Sequence, residues 1–334
     1  MKRSHIAIAL VGFALALAVP LFITQDYVLQ VFFRVALFAA LGLAWNLVGG
    51  YTGQLSLGHA AYFGVGAYGL AILSRHGVNM WIASVIAVVL AVFCAVIIGS
   101  SAFRLRGPYF ALATIAFAEV MRLTAKNLDQ LTGGDVGIEV PLLFPRNSSA
   151  WFYIAGVLLT GLALVLTVWI SKSKFGYYLM AIREDQDTAA SVGVNTARTK
   201  LYALLISAAL TAIGGILYGS LFLYIVPDQV LPIEISIEIA IVAMLGGAGT
   251  VIGPIVGSLV LESAAEVFKA QFKEAHLMVY GVLIVVVVLF LPEGIVGTIT
   301  NRLRVWKKAP TAPFAAKGRV AAKEAARAGT TITR

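Results

Sequence analysis

The chain has 334 residues, 60% hydrophobic and 12% charged, with a mean hydropathy of +0.91. A water-soluble domain is about 25% charged because it must cover its core with polar surface, so these figures exclude a soluble enzyme, a nucleic-acid-binding domain and a disordered chain, and leave an integral membrane protein. The net charge of +9 is no nucleic-acid footprint: residues 301–334 carry nine Lys and Arg against Glu324 alone, while residues 1–300 carry 16 bases and 15 acids.

A membrane-crossing helix needs about 20 mostly apolar residues. The first candidate is 6–24, behind Lys2 and Arg3. Ala16-Leu17-Ala18 is shaped like a signal-peptide cleavage site. The run outlasts a signal-peptide core, however, and the next span, 28–48, follows almost at once, so it reads as an uncleaved first helix. Arg34 lies in the outer third of that second span and either snorkels or faces the bundle. A Gly-rich stretch, Gly49 to His59, leads into a weaker span at 55–73. The span 81–100 holds Cys94, the only cysteine, which rules out an internal disulfide or a cysteine-cluster metal site and reads as a small buried hydrophobe. In the weaker span 109–123, Glu119 and Arg122 are three apart, share a helix face and form a structural ion pair.

After the span 151–170 comes the polar stretch 171–200. Asp185 or Asp187 caps a short helix through Ala189 and Ala190, and Gly193 ends it. The Ala-rich side suits a partner's groove, with Arg183, Glu184 and Asp187 at the rim; the alternative is a solvated loop helix. The remaining candidates are 201–225, a broken pair at 237–246 and 249–268, and 277–291. Strands are not expected, because the apolar runs are continuous rather than alternating. Pro310, Pro313 and Gly318 break the basic tail, which is expected to be a disordered cytoplasmic segment with a weak preference for anionic lipid.

Positive charge marks the cytoplasmic side. With the N-terminus inside, the inside segments 1–5, 49–54, 101–108, 171–200 and the tail hold 18 of the 25 bases. The outside segments hold Arg75, Lys126, Arg146, Lys269 and Lys273. The basic tail ends inside only if residues 237–268 enter and leave on the same side, as a re-entrant or broken hairpin turning at Leu245-Gly246-Gly247-Ala248-Gly249-Thr250.

The two Gly-rich segments lie in opposite halves of the chain. Paired broken helices point to a transport path near the membrane midplane, because unwound backbone at that depth is tolerated only where it is buried or lines a cavity. The path candidates are Tyr51, Gly53, Gln54, Ser56, His59, Gly246, Gly247, Gly249, Thr250, Gly253 and Pro254. Close helix packing is the competing reading for Gly249, Gly253 and Gly257, which are spaced by four; the two roles can coexist. His59 reads as hydrogen-bonded structure rather than a ligand or proton carrier. No phosphate loop, H-E-x-x-H or G-x-S-x-G motif is present, so the chain is expected to be no enzyme, with no metal and no cofactor.

The run from Gly50 to Tyr68 resembles the signature of the LivM-type permeases, membrane subunits of branched-chain amino-acid ABC importers. Similar matches follow in family order: Arg104 to Thr114, Leu131 to Gly137, Ala181 to Asp185 with Ala189, Ala190 and Gly193, and Leu245 to Pro254. Together they cover roughly residues 28–298. The resemblance implies an all-α, polytopic membrane fold of about ten segments, eight full spans plus the Gly-rich hairpin, in two related halves. The permease domain would be 1–300 and the tail 301–334. It also implies a multi-pass bacterial inner-membrane protein with both termini cytoplasmic.

The implied partners are a second, LivH-like permease, two cytoplasmic ATPases that supply ATP hydrolysis, a periplasmic solute-binding protein and the lipid bilayer, with no nucleic acid. Arg183, Glu184, Asp185, Asp187, Ala189, Ala190 and Gly193 would form the helix that docks on the ATPase. The tail, and the acidic run Asp185-Gln186-Asp187, depart from the shared pattern. Related permeases carry urea, short amides or aromatic acids, so these stay open as cargo beside branched-chain amino acids. A stand-alone facilitator is the alternative of a different class. A membrane enzyme ranks last, because the four His residues (His5, His59, His76, His276) are scattered.

Overall fold

The computed structural model describes residues 3–103, 105, 107–144, 149–272, 281, 285 and 294–307. Most of the expected span 277–291, and the tail beyond Lys307, lie outside the described residues. The chain divides into a unit over Met1–Gly297 and a second over Thr298–Arg334. The described part is mostly helical. Five stretches in it are long and apolar enough to cross a membrane: Asp26–Thr52, Met80–Ala102, Ala150–Lys172, Thr196–Phe222 and Pro227–Gly247.

In chain order the helices are α1 (Arg3–Phe22), α2 (Asp26–Thr52), α3 (His59–Arg75), α4 (Met80–Ala102), α5 (Pro108–Asn127) and α6 (Asp129–Thr132). They continue with α7 (Ala150–Lys172), α8 (Lys174–Glu184), α9 (Gln186–Ser191), α10 (Thr196–Phe222), α11 (Pro227–Val230), α12 (Ile233–Gly247), α13 (Gly253–Phe272) and α14 (Gly294–Lys307). Strong apolar runs and helices agree to within a few residues. The departures occur where the apolar signal is weak. The stretch 171–200 holds two helices, not one; α8 was hidden by its mixed composition, though Ser173 caps it by accepting from the Gly176 N–H at 3.2 Å. Strands do occur, as a two-residue ribbon in which Ile138–Glu139 (β1) pairs antiparallel with Tyr224–Ile225 (β2), too short to show any alternation. Helix α14 runs past residue 300, where the tail was expected to begin, because the first breaker, Pro310, comes later.

Helix α2 is the central post, almost wholly buried from Ala36 onward. Helices α7, α10, α12 and α13 pack around it. Helix α4 shows why the bundle belongs in lipid. Ala83, Ala87, Ala91, Ala95 and Gly99 form a buried stripe at a spacing of four, which lets α4 approach its neighbours closely. Its bulky residues, among them Trp81, Val85, Val89 and Phe93, point outward and are more than half exposed. A soluble helix is patterned the other way round. Helix α1 is fastened to α7 by the Tyr153 hydroxyl, which donates to Ala16 O at 2.7 Å.

The pair α12–α13 is a helical hairpin closed by residues 248–252. Its second arm lies antiparallel along α2. Tyr27 bonds Glu266, Arg34 Nε meets Glu262 at 2.8 Å, the Ser258 hydroxyl donates to Val35 O at 2.6 Å, and Asn46 Nδ2 donates to Thr250 O at 2.8 Å. The hairpin thus follows α2 over most of its length. The arms touch backbone to backbone: a Cβ at Gly246 would strike the Gly253 carbonyl, and one at Gly257 the Val242 carbonyl. Packing therefore accounts for Gly246, Gly253 and Gly257. Gly257→Val is expected to force the arms apart and cost about 1–3 kcal/mol; a lowered apparent Tm of the detergent-purified protein would show it, and an unchanged one would mean the crossing is not tight.

Candidate functional site

The two Gly-rich segments meet. Asn46, fully buried one turn before Gly50, holds the hairpin tip with both ends of its amide: Oδ1 accepts from the Gly249 N–H at 2.7 Å and Nδ2 donates to Thr250 O. The Thr250 hydroxyl donates to Gly247 O at 2.7 Å and accepts from the Gly253 N–H at 3.0 Å, which shapes the turn into α13. Pro254 is buried against Gly42 of α2. Gly249 has φ +80, and a side chain there would collide with the guanidinium of Arg183, so the turn and the close approach both require glycine.

Arg183 joins the third partner to this junction. It sits at the end of α8, and its Nη1 donates to Gly50 O at 2.8 Å. Sequence reasoning put it on a partner-facing rim; the residue is exposed, but its guanidinium reaches back to the Gly50 carbonyl. Ala189 differs from the expected outward side: it is buried, while Ala190, Glu184 and Asp187 are exposed. Asp185 caps α9 through the Thr188 N–H at 2.5 Å, and Gly193 leaves it with φ +90. The free face of α8–α9 also carries Tyr177, Tyr178 and Val192, the last 74% exposed; sequence reasoning passed over these.

Lys200 was missed too. It is fully buried, donates from Nζ to Gln186 Oε1 at 3.1 Å, and lies 5.2 Å from the centre of the Phe103 ring. A lysine just ahead of an apolar run was the available signal. Burial of a cation is sustained only by such partners. Lys200 ties α9 to α10 and to the end of α4.

The remaining path candidates lie in the α2–α3 link and are mostly buried. Gly53, with φ +70, ends α2. Ser56 O accepts from Trp45 Nε1 at 2.7 Å. His59 is fully buried between two hydroxyls, Ser207 Oγ 2.8 Å from Nε2 and Ser56 Oγ 3.3 Å from Nδ1. Both ring nitrogens are occupied, as a structural histidine requires. Tyr51 is buried in the packing between α2, α8 and α10, and Gln54 Oε1 is a buried oxygen with no hydrogen-bond partner. Gly53 lies beside Arg183, near the hairpin tip, whereas His59 lies deeper in the bundle: it meets Ser207 near the middle of α10, and the N–H of the next residue, Ala60, donates to the Ser236 hydroxyl in the first turn of α12.

The opposite end holds two ionic clusters. Arg34 meets Glu262 and Glu238, the latter at 3.2 Å. The expected Glu119–Arg122 pair forms at 2.6 Å and is extended by Asp228, which Arg122 and Lys126 reach at 2.5 and 2.7 Å. Asp228 is remote in sequence, and no spacing rule links it to α5.

Residues 27–288 match the family model described as "Branched-chain amino acid transport system / permease component". The high-affinity branched-chain amino acid transport system permease protein LivM of Escherichia coli is 27% identical, over 91% of this chain and 77% of its own length. The permease protein BraD of Pseudomonas aeruginosa, from a system of the same name, is 29% identical over 78% of this chain and 91% of its own. LivH of Escherichia coli is 27% identical over the same shares. No solved structure matches.

Proposed function

Because the chain belongs to the family of permease components of branched-chain amino acid transport systems, we propose that it is one membrane subunit of an ABC importer for branched-chain amino acids. A second, LivH-like permease completes the passage, two cytoplasmic ATPases drive it, and a periplasmic binding protein delivers the cargo. Other permeases named as parts of such systems cover most of its length.

The observation that carries the mechanism is the Arg183 junction. One hydrogen bond connects the exposed α8–α9 segment to the end of α2, against which the hairpin tip is fastened. ATP-driven closure of the ATPases against α8–α9 would move α2 and the hairpin together and alternate the side to which the passage opens. In this reading the α8 end is cytoplasmic, as its Lys and Arg residues indicate. The membrane part comprises about ten segments in two related halves, α12 and α13 supply two of them, and the basic tail is a cytoplasmic appendage.

Uptake of labelled leucine in a strain lacking the chain, with urea and benzoate as competitors, tests the reading. Leucine uptake restored by the chain and competed by isoleucine alone supports it. Restoration of urea or benzoate uptake instead moves the cargo, and transport by the purified chain without ATPases overturns the importer. Gly193→Val adds no clash, since nothing lies within 4 Å of a Cβ there. It strains a left-handed residue by about 1–2 kcal/mol. Uptake is expected to fall severalfold while the ATPases still co-purify; unchanged uptake would remove α9 from the coupling route.

A further inference from the structure

A cavity of about 530 Å³ opens between the last turn of α3 and the β ribbon, at the end of the bundle opposite α8. Three polar side chains line it, the exposed Arg75 and Glu139 and the less exposed Ser74. Arg75 and Glu139 line the same space, and among the described residues neither takes part in an ion pair. Ser74 Oγ is a buried hydroxyl with no hydrogen-bond partner. The rest of the wall is largely apolar and includes Ile138, Val140 and Pro141. By contrast, the nearby Arg122 and Lys126 are held by Asp228.

A cation, a carboxylate and an idle hydroxyl on an apolar wall match a ligand with both charges and an aliphatic side chain. The volume is that of a small-molecule site, in which a few polar groups fix orientation and apolar surface gives affinity. We propose that this cavity is a receiving site for a free α-amino acid in its zwitterionic form. The carboxylate pairs with the Arg75 guanidinium, which offers it a planar two-donor fork. The ammonium faces Glu139, Ser74 adds a hydrogen bond, and the aliphatic chain lies on Val140 and Pro141. The inference rests on the reading of amino acids as the cargo and of this end as the outer face. It makes the permease itself select for a free amino group and a free carboxylate.

The test is binding of labelled leucine to the assembled permease–ATPase complex in nanodiscs without the binding protein. Isoleucine is expected to compete, whereas leucinamide, which lacks the carboxylate, and 4-methylpentanoate, which lacks the ammonium, are not. Arg75→Gln and Glu139→Gln should each weaken binding tenfold or more, with Arg75→Lys retaining part of it. Binding that is absent, indifferent to both variants, or equally competed by leucinamide overturns the site. So does weaker docking of the binding protein in these variants with leucine binding unchanged, since the charges would then belong to a protein contact. ATP-driven leucine uptake by the unmodified complex is measured in parallel: uptake without binding rejects the cavity alone, whereas absence of uptake rejects the cargo.

Discussion

Arg183→Glu is expected to lower leucine uptake by about tenfold or more while leaving the ATPases bound and hydrolysing ATP. The guanidinium donates to Gly50 O at 2.8 Å. A hydrogen bond involving a charged group is worth about 1.5–3 kcal/mol, and glutamate replaces the donor with a carboxylate that repels the carbonyl. The loss falls on the link between α8 and the Gly-rich junction and not on the exposed surface of Tyr177, Tyr178 and Val192. Arg183→Lys should retain part of the uptake, because an ammonium still donates, though as a point charge on a different stem. Reconstituted complexes in which ATP hydrolysis and uptake are measured together decide the matter. If Arg183→Glu releases the ATPase, the residue is a docking contact; if both rates are normal, the junction transmits nothing.

The largest stability effect is expected from Arg34→Leu. The Glu262 side chain is 2% exposed, and Oε2 depends on Arg34 Nε at 2.8 Å. Removing the cation leaves a carboxylate uncompensated inside the bundle, which costs about 3–5 kcal/mol, and membrane depth makes the charge no cheaper. The apparent Tm in detergent should fall by about 10 °C. The double substitution Arg34→Leu with Glu262→Leu should recover most of it, because an apolar pair of similar size replaces a buried ion pair at little cost. A single substitution as stable as the parent would show that Glu262 does not rely on Arg34.

What the sequence disclosed follows from the range of each signal. Helices α2, α4, α7 and α10 are legible because a long apolar run is a local property. The Gly-rich tip was legible through charge parity, which required a reversal, and the reversal is found at residues 248–252. Arg122 and Glu119 were paired correctly because three residues on a helix fix their distance. The pairings Arg34–Glu262, Asn46–Gly249 and Arg122–Asp228 join residues more than a hundred positions apart, and no periodicity reports on them. Arg183 was singled out with the exposed α8–α9 segment, but its bond to Gly50 was not: spacing marks the segment as a helix, whereas the Gly50 carbonyl that the guanidinium meets is known only from the fold. Helix α8 was lost because its polar and aromatic residues imitate a loop.

The antiparallel seam between α2 and α13 has a mechanical consequence. Its fastenings run from Asn46–Thr250 at one end, through Ser258–Val35 and Arg34–Glu262, to Tyr27–Glu266 at the other. At 1.5 Å per residue, the stretch of α2 between them is about 30 Å long. Two helices riveted at intervals along that length form a stiff strut, with little slack to absorb a displacement. A shift of a few ångströms imposed beside Gly50 must then reappear as a tilt at the far end, and the ion pair at Glu262 and the hydrogen bond at Glu266 set how much of it is lost on the way.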